Sequence, residues 1–164
     1  MEILTIILGI DPGLQHTGWG VIKVNGSNIS FIAGGVIHTT PKLGMPKRLL
    51  QLHTNLKEVI ELYKPDEMAI EETFVNKNAL SSLKLGHARG VLIVTGASHD
   101  IPISEYSPNL IKKSITGAGK ADKNQIIAMI KILLPASNIT NSDTADALAT
   151  AICHANHRQI RNLM

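Results

Sequence analysis

Four carboxylates stand where apolar residues would serve a fold better. Asp11 closes the apolar run Ile6-Ile7-Leu8-Gly9-Ile10 in LGIDPG, and Glu71 follows a second apolar run in AIEE. Asp143 and Asp146 form D-T-A-D, a spacing that puts both on one face of a helix. Taken singly, each has an ordinary reading: a turn aspartate before Pro-Gly, a solvated strand end, an acid favouring the helix macrodipole. Taken together they read differently. Two carboxylates about 4 Å apart repel by roughly 4 kcal/mol at an effective dielectric of about 20, so a fold that gathers them calls for cations. Hard oxygen donors with no histidine at these positions suit Mg²⁺, with Mn²⁺ as a substitute. Acidic ligands beside the basic segment IKKSITGAGKADK fit phosphodiester hydrolysis, with two ions flanking the scissile phosphate.

The elements must then bring these residues together. Apolar continuity and alternation predict strands over 4–11, 18–25 and 29–38, with DPG and NGSN as the turns between them. NGSN fits a hairpin, so the second and third strands run antiparallel. Leu49, Leu52, Leu56, Val59, Ile60 and Tyr63 recur at helical spacing over 45–64, and Lys64-Pro65 ends that helix. A strand at 67–72, a helix at 77–98, a strand at 101–106 and helices at 122–134 and 142–157 follow; the basic segment 111–123 reads as a loop. The order implies an α/β fold, a mixed sheet covered by helices. If the first and fourth strands are neighbours, Asp11 and Glu71 come side by side and the last helix lays its acidic face over them.

At 164 residues, with no repeat or linker, the chain reads as one domain spanning 1–164. Charged residues at 18% and hydrophobic ones at 44% exclude a disordered chain. A net charge of +3 permits a nucleic-acid partner without demanding one, and 3% aromatics argue against a stacking platform for single strands. Cys153 stands alone, which excludes a disulfide or cysteine zinc site within the chain. MEILTIILGID lacks a basic start and a cleavage site, and no apolar run approaches a membrane span; the expectation is a soluble cytoplasmic protein with no membrane partner.

GIDPG with TGWGVI, AIEETF, NKNALSSLKLGHARG and SDTADALATAI, in order over about residues 5 to 156, resemble the RuvC family of Holliday-junction endonucleases. The resemblance implies an RNase H-like fold, a homodimer, Mg²⁺ dependence, and paired symmetric nicks across a four-way DNA junction in recombination and repair. Water then attacks phosphorus in line and leaves 5′-phosphate and 3′-hydroxyl ends. By resemblance Asp11, Glu71, Asp143 and Asp146 are the metal-holding, catalytic acids. Residue 72 is often glutamine in the family and is Glu72 here; strand neighbours point to opposite faces, and Glu71 is the one expected to face the metals. Phe74 falls where the family carries an aromatic that stacks on a base at the opened junction. Lys112 and Lys123 fall where it has basic residues near the scissile phosphate, and Lys113 and Lys120 lie in the same segment. The family uses the helix at 77–98 for its dimer interface, to which Gly86 and Gly90 would offer a flat strip. A branch-migration motor is a partner implied by the family alone.

Other readings remain at this stage. Actin-like ATPases also begin with a strand, an aspartate and a glycine-rich turn, but need two such domains. A nuclease for RNA–DNA hybrids or flaps would share the fold and the acids, as would a non-catalytic junction-binding scaffold. His154 and His157 are expected on a solvated helix end, the other five histidines form no cluster, and Cys153 is expected to be a small buried hydrophobe.

Overall fold

The computed structural model describes residues 3–73 and 77–162. Its elements run β1 (Leu4–Asp11), β2 (His16–Asn25), β3 (Asn28–His38), α1 (Met45–Tyr63), β4 (Glu67–Glu71), α2 (Ala79–Ala97), β5 (Ile103–Tyr106), α3 (Pro108–Thr116), α4 (Lys123–Leu133) and α5 (Ser142–Asn162). The five strands form one sheet in the order β3-β2-β1-β4-β5. The first three are antiparallel, turned at Asn25–Asn28 with Gly26 in the left-handed region, while β4 and β5 join β1 in parallel. This is the mixed sheet that the order of elements implies, in the RNase H-like arrangement that the family resemblance implies.

Period-two alternation sorts the side chains between two cores. Leu8, Ile10, Val21, Met68 and Ile70 point to one face, where Leu52, Leu56 and Ile60 of α1 and Ala88 and Leu92 of α2 cover them. Ile7, Ile22 and Ala69 point to the other face, against Ile111, Ile115, Ile126, Ile130 and the alanine-rich α5. Asp11 and Glu71 share the parity of Ile7 and Ala69, so both face α5.

The segment 111–123 departs from the loop expected there, because Pro108–Thr116 is helical. Ser107 caps the helix by accepting the Leu110 N–H at 3.2 Å, Pro108 opens it, Ile111 and Ile115 are buried one turn apart, and Gly117 ends it at φ 77°. Capping and an i, i+4 apolar pair thus hold a helix whose sequence otherwise reads as polar and basic. None of the described helices is long and apolar enough to cross a membrane.

Candidate active site

Asp11 is the last residue of β1 and Glu71 the last of β4. The two strands are hydrogen-bonded parallel neighbours, with Ile10 beside Ile70, so their carboxyl ends bring the two acids together. Asp143 and Asp146 arrive from the first turns of α5, whose start is fixed by Asn141: its side-chain oxygen accepts the N–H groups of Asp143 at 2.8 Å and Thr144 at 3.2 Å.

What lets α5 descend onto the acids is a set of bare positions on the sheet. A Cβ at Gly9 would stand 2.1 Å from the Ala147 carbonyl oxygen, and one at Gly18 would stand 2.0 Å from that of Asp143. Gly18 is the cross-strand partner of Asp11. The Asp143 backbone therefore rests on β2 directly beside the strand end that carries Asp11. Only glycine permits this approach, and Thr144 secures it by donating its hydroxyl to the Gly35 carbonyl at 3.2 Å.

The electrostatics register the crowding. The Asp11 carboxyl is pushed up to about 9, first by burial, then by the charges of Glu71 and Asp146, a hydrogen bond with Glu71, and Asp143. Glu71 is raised by burial and by Asp146, against its hydrogen bond with Asp11 and the charge of Lys112. Asp146 is raised by burial and by Asp143, against Lys123 and Lys112. A hydrogen bond between two carboxyls needs a proton between them, and that proton sits where positive charge relieves the repulsion. Hard divalent cations fit the same need through an all-oxygen donor set. As now arranged, among the described residues no three His, Cys, Asp or Glu side chains are gathered tightly enough to hold an ion.

Lys112 and Lys123 stand with Glu71 and Asp146 around a cavity of about 390 Å³, whose floor includes Ile111, Ile126 and Ala149. Lys113 and Lys120 are exposed and lie outside that lining. Glu72 is not among the charges acting on Asp11, Glu71 or Asp146, and its N–H is taken by the Tyr106 carbonyl at 2.8 Å. Phe74 lies outside the described residues.

Two histidine readings change. His154 is buried rather than solvated: Tyr106 Oη lies 2.7 Å from its Nδ1, and its Nε2 is 2.5 Å from Glu67. Arg158 donates to both Glu67 oxygens, so the carboxylate, burial notwithstanding, is held below its usual range. His157 is half-buried, its Nδ1 2.8 Å from the Cys153 carbonyl. These contacts tie α5 to β4 and β5 behind the acids. Cys153 is fully buried, as expected, and burial pushes its thiol up to about 11.

The family model of the crossover junction endodeoxyribonuclease RuvC matches residues 7–154. The chain belongs to the RuvC family. Relatives include the RuvC proteins of Allorhizobium ampelinum, 50% identical over 152 residues (93% of this chain, 90% of that one), and Afipia carboxidovorans, 51% identical over 158 (96% and 92%). Among solved structures, Thermus thermophilus RuvC in complex with a Holliday junction substrate superposes at a TM-score of 0.89 and 30% identity, covering 95% of this chain and 96% of that one. The yeast mitochondrial Holliday junction resolvase Ydc2, at 16% identity and a TM-score of 0.68 over 96% of this chain and 82% of that one, shares the fold. Family membership makes the chain an endodeoxyribonuclease.

Proposed function

We propose that this chain resolves four-way DNA junctions in recombination and repair, cutting two opposed strands symmetrically to leave 5′-phosphate and 3′-hydroxyl ends. The observation that carries the reading is the convergence of Asp11, Glu71, Asp143 and Asp146 from three elements beside a lysine-flanked cavity, in a RuvC-family chain. These four acids would hold two divalent ions, Mg²⁺ with Mn²⁺ able to substitute, which would supply Lewis acidity and water activation at the scissile phosphate. The remaining work falls to the chain's own groups. Half-burial of the acids weakens their screening by bulk water. Lys112 offsets the charge of Glu71 and Asp146, Lys123 that of Asp146, and both are placed to receive a phosphodiester entering the cavity. Lys113 and Lys120 contact phosphates further out, and Phe74 stacks on a base at the junction centre.

Two opposed cuts call for a two-fold enzyme. The exposed face of α2 supports one: Leu80, Leu83 and Val94 are 62%, 63% and 59% exposed along one stripe, and a Cβ at Gly86 or Gly90 would meet nothing within 4 Å. The reading includes residues 1–164 working as one nuclease domain in the cytoplasm, supplied with junctions by a branch-migration motor.

The test is incubation with a mobile synthetic junction and Mg²⁺, beside a linear duplex and an RNA–DNA hybrid, with Asp11→Asn in parallel. Paired nicks in opposing arms, lost in the variant while junction binding persists, are expected. Binding without cutting in both Mg²⁺ and Mn²⁺ would make the chain a scaffold, and cutting of the hybrid alone would change the substrate.

A further inference from the structure

Seven histidines are scattered along the chain, and folding sets two of them face to face. His16 opens β2, His38 closes β3, and they are direct cross-strand partners. On the next rung the Thr39 N–H donates to the Gln15 carbonyl at 3.2 Å. His16 and His38 are therefore a non-hydrogen-bonded pair, the kind whose facing side chains stand closest. Their rings are nearly perpendicular, at 83° with centroids 4.9 Å apart, and the two Nδ1 atoms meet at 2.8 Å. Both residues are exposed.

That distance is an ordinary hydrogen-bond length, and it also suits two donors on one ion. With metal–nitrogen bonds of about 2.0–2.1 Å, two imidazole nitrogens at 90° stand about 2.9 Å apart, and at a tetrahedral angle about 3.4 Å. The observed separation matches adjacent corners of a square-planar or octahedral ion. Nitrogen donors in that geometry select Cu²⁺ or Ni²⁺, whereas Mg²⁺ takes oxygen. The existing Nδ1···Nδ1 bond uses one N–H and one lone pair. Moving the donor ring's proton to its Nε2 frees both lone pairs with no net loss of a proton, and a turn of each exposed ring then aims them at a common ion rather than at each other. Among the described residues no third His, Cys, Asp or Glu completes the set, so water fills the other positions.

We propose that His16 and His38 form a bidentate site for a nitrogen-seeking divalent transition ion of the Cu²⁺ or Ni²⁺ class, separate from the carboxylate cluster. It does not depend on the nuclease reading. His16 lies on the same sheet face as Gly18, against which Asp143 rests, about 7 Å away by strand rise.

The test is calorimetric titration of the untagged, full-length protein with NiCl₂ and with CuCl₂, in excess MgCl₂ to occupy the carboxylates. One equivalent is expected to bind, and His16→Ala and His38→Ala are each expected to weaken it by about tenfold or more, since even outer-shell losses reach that size. Binding unchanged in either variant, or absent from the wild type, would overturn the site. In the wild-type protein, substoichiometric Cu²⁺ should broaden the ring-proton resonances of His16 and His38 before those of the other five histidines; broadening that begins elsewhere would overturn it too.

Discussion

Replacing Gly18 by alanine should disable the site while leaving the fold standing. The new Cβ would lie 2.0 Å from the Asp143 carbonyl oxygen, 2.5 Å from its carbon and 3.1 Å from its Cβ, where ordinary contact begins near 3.4 Å. About 1.4 Å must therefore be found, and the obstacle is helix backbone, which cannot turn aside as a side chain can. The first turn of α5 has to lift, taking Asp143 and Asp146 with it. A misplacement of about 1 Å is enough to lose roughly 100-fold in rate, and overpacking of this kind costs about 1–3 kcal/mol, or roughly 2–12 °C in Tm for a chain of this size. Gly20→Ala is the informative comparison. Its obstacle is the Leu148 side chain, with Cδ2 at 2.5 Å and Cγ at 2.6 Å, and the backbone N at 3.3 Å. A leucine can repack, so a similar drop in Tm should come with less than about a tenfold loss of rate. The assay is single-turnover nicking of a synthetic junction at saturating protein, with junction affinity by anisotropy and Tm by circular dichroism. Equal rate losses in the two variants, or a Gly18→Ala protein with wild-type nicking, would refute the claim that this glycine seats the acids.

Three further outcomes follow from the same geometry. The Asp11 carboxyl sits at about 9 against an ordinary 3.8, so the fold binds its proton more tightly than the unfolded chain does and loses stability as pH rises between those values. Without added metal, Asp11→Asn should therefore melt above wild type at pH 8, by an amount on the order of one carboxylate repulsion, about 4 kcal/mol at most, and the gap should close towards pH 4 in thermal melts; a variant melting below wild type at pH 8 would count against the crowding. Lys112→Ala and Lys123→Ala should each reduce the slope of log affinity against log salt by about 0.9, with single-turnover nicking slowed; an unchanged slope and rate would return both to solvated surface. Leu83→Glu, on the exposed stripe of α2, should yield a monomer by light scattering, and a dimeric variant would move the interface elsewhere.

Much of the fold was legible because its signals are local. The three leading strands, the long α1 and the D-T-A-D helix follow from alternation, helical spacing and turn residues, and their observed bounds lie within a few residues of those expected. Helix α3 escaped because its two buried apolar residues, Ile111 and Ile115, flank a pair of lysines, and only the Ser107 cap and Pro108 marked it. His154 was misjudged because a burial partner eighty-seven residues away in Glu67 leaves no trace near it in sequence.

The sequence by itself determined which acids end apolar runs, that Asp143 and Asp146 share a helix face, and that Cys153 is a small hydrophobe: each depends on a residue and its near neighbours. Only the tertiary structure decided that β4 lies parallel beside β1, so that Asp11 touches Glu71. It alone decided that Lys112 and Lys123 line one cavity with Glu71 and Asp146, and that His16 meets His38. Those are contacts between residues far apart in the chain, fixed by strand order and by how closely α5 can approach. Gly9 and Gly18 were plain in the sequence from the start, but an absent side chain has meaning only once the backbone that fills its place is known.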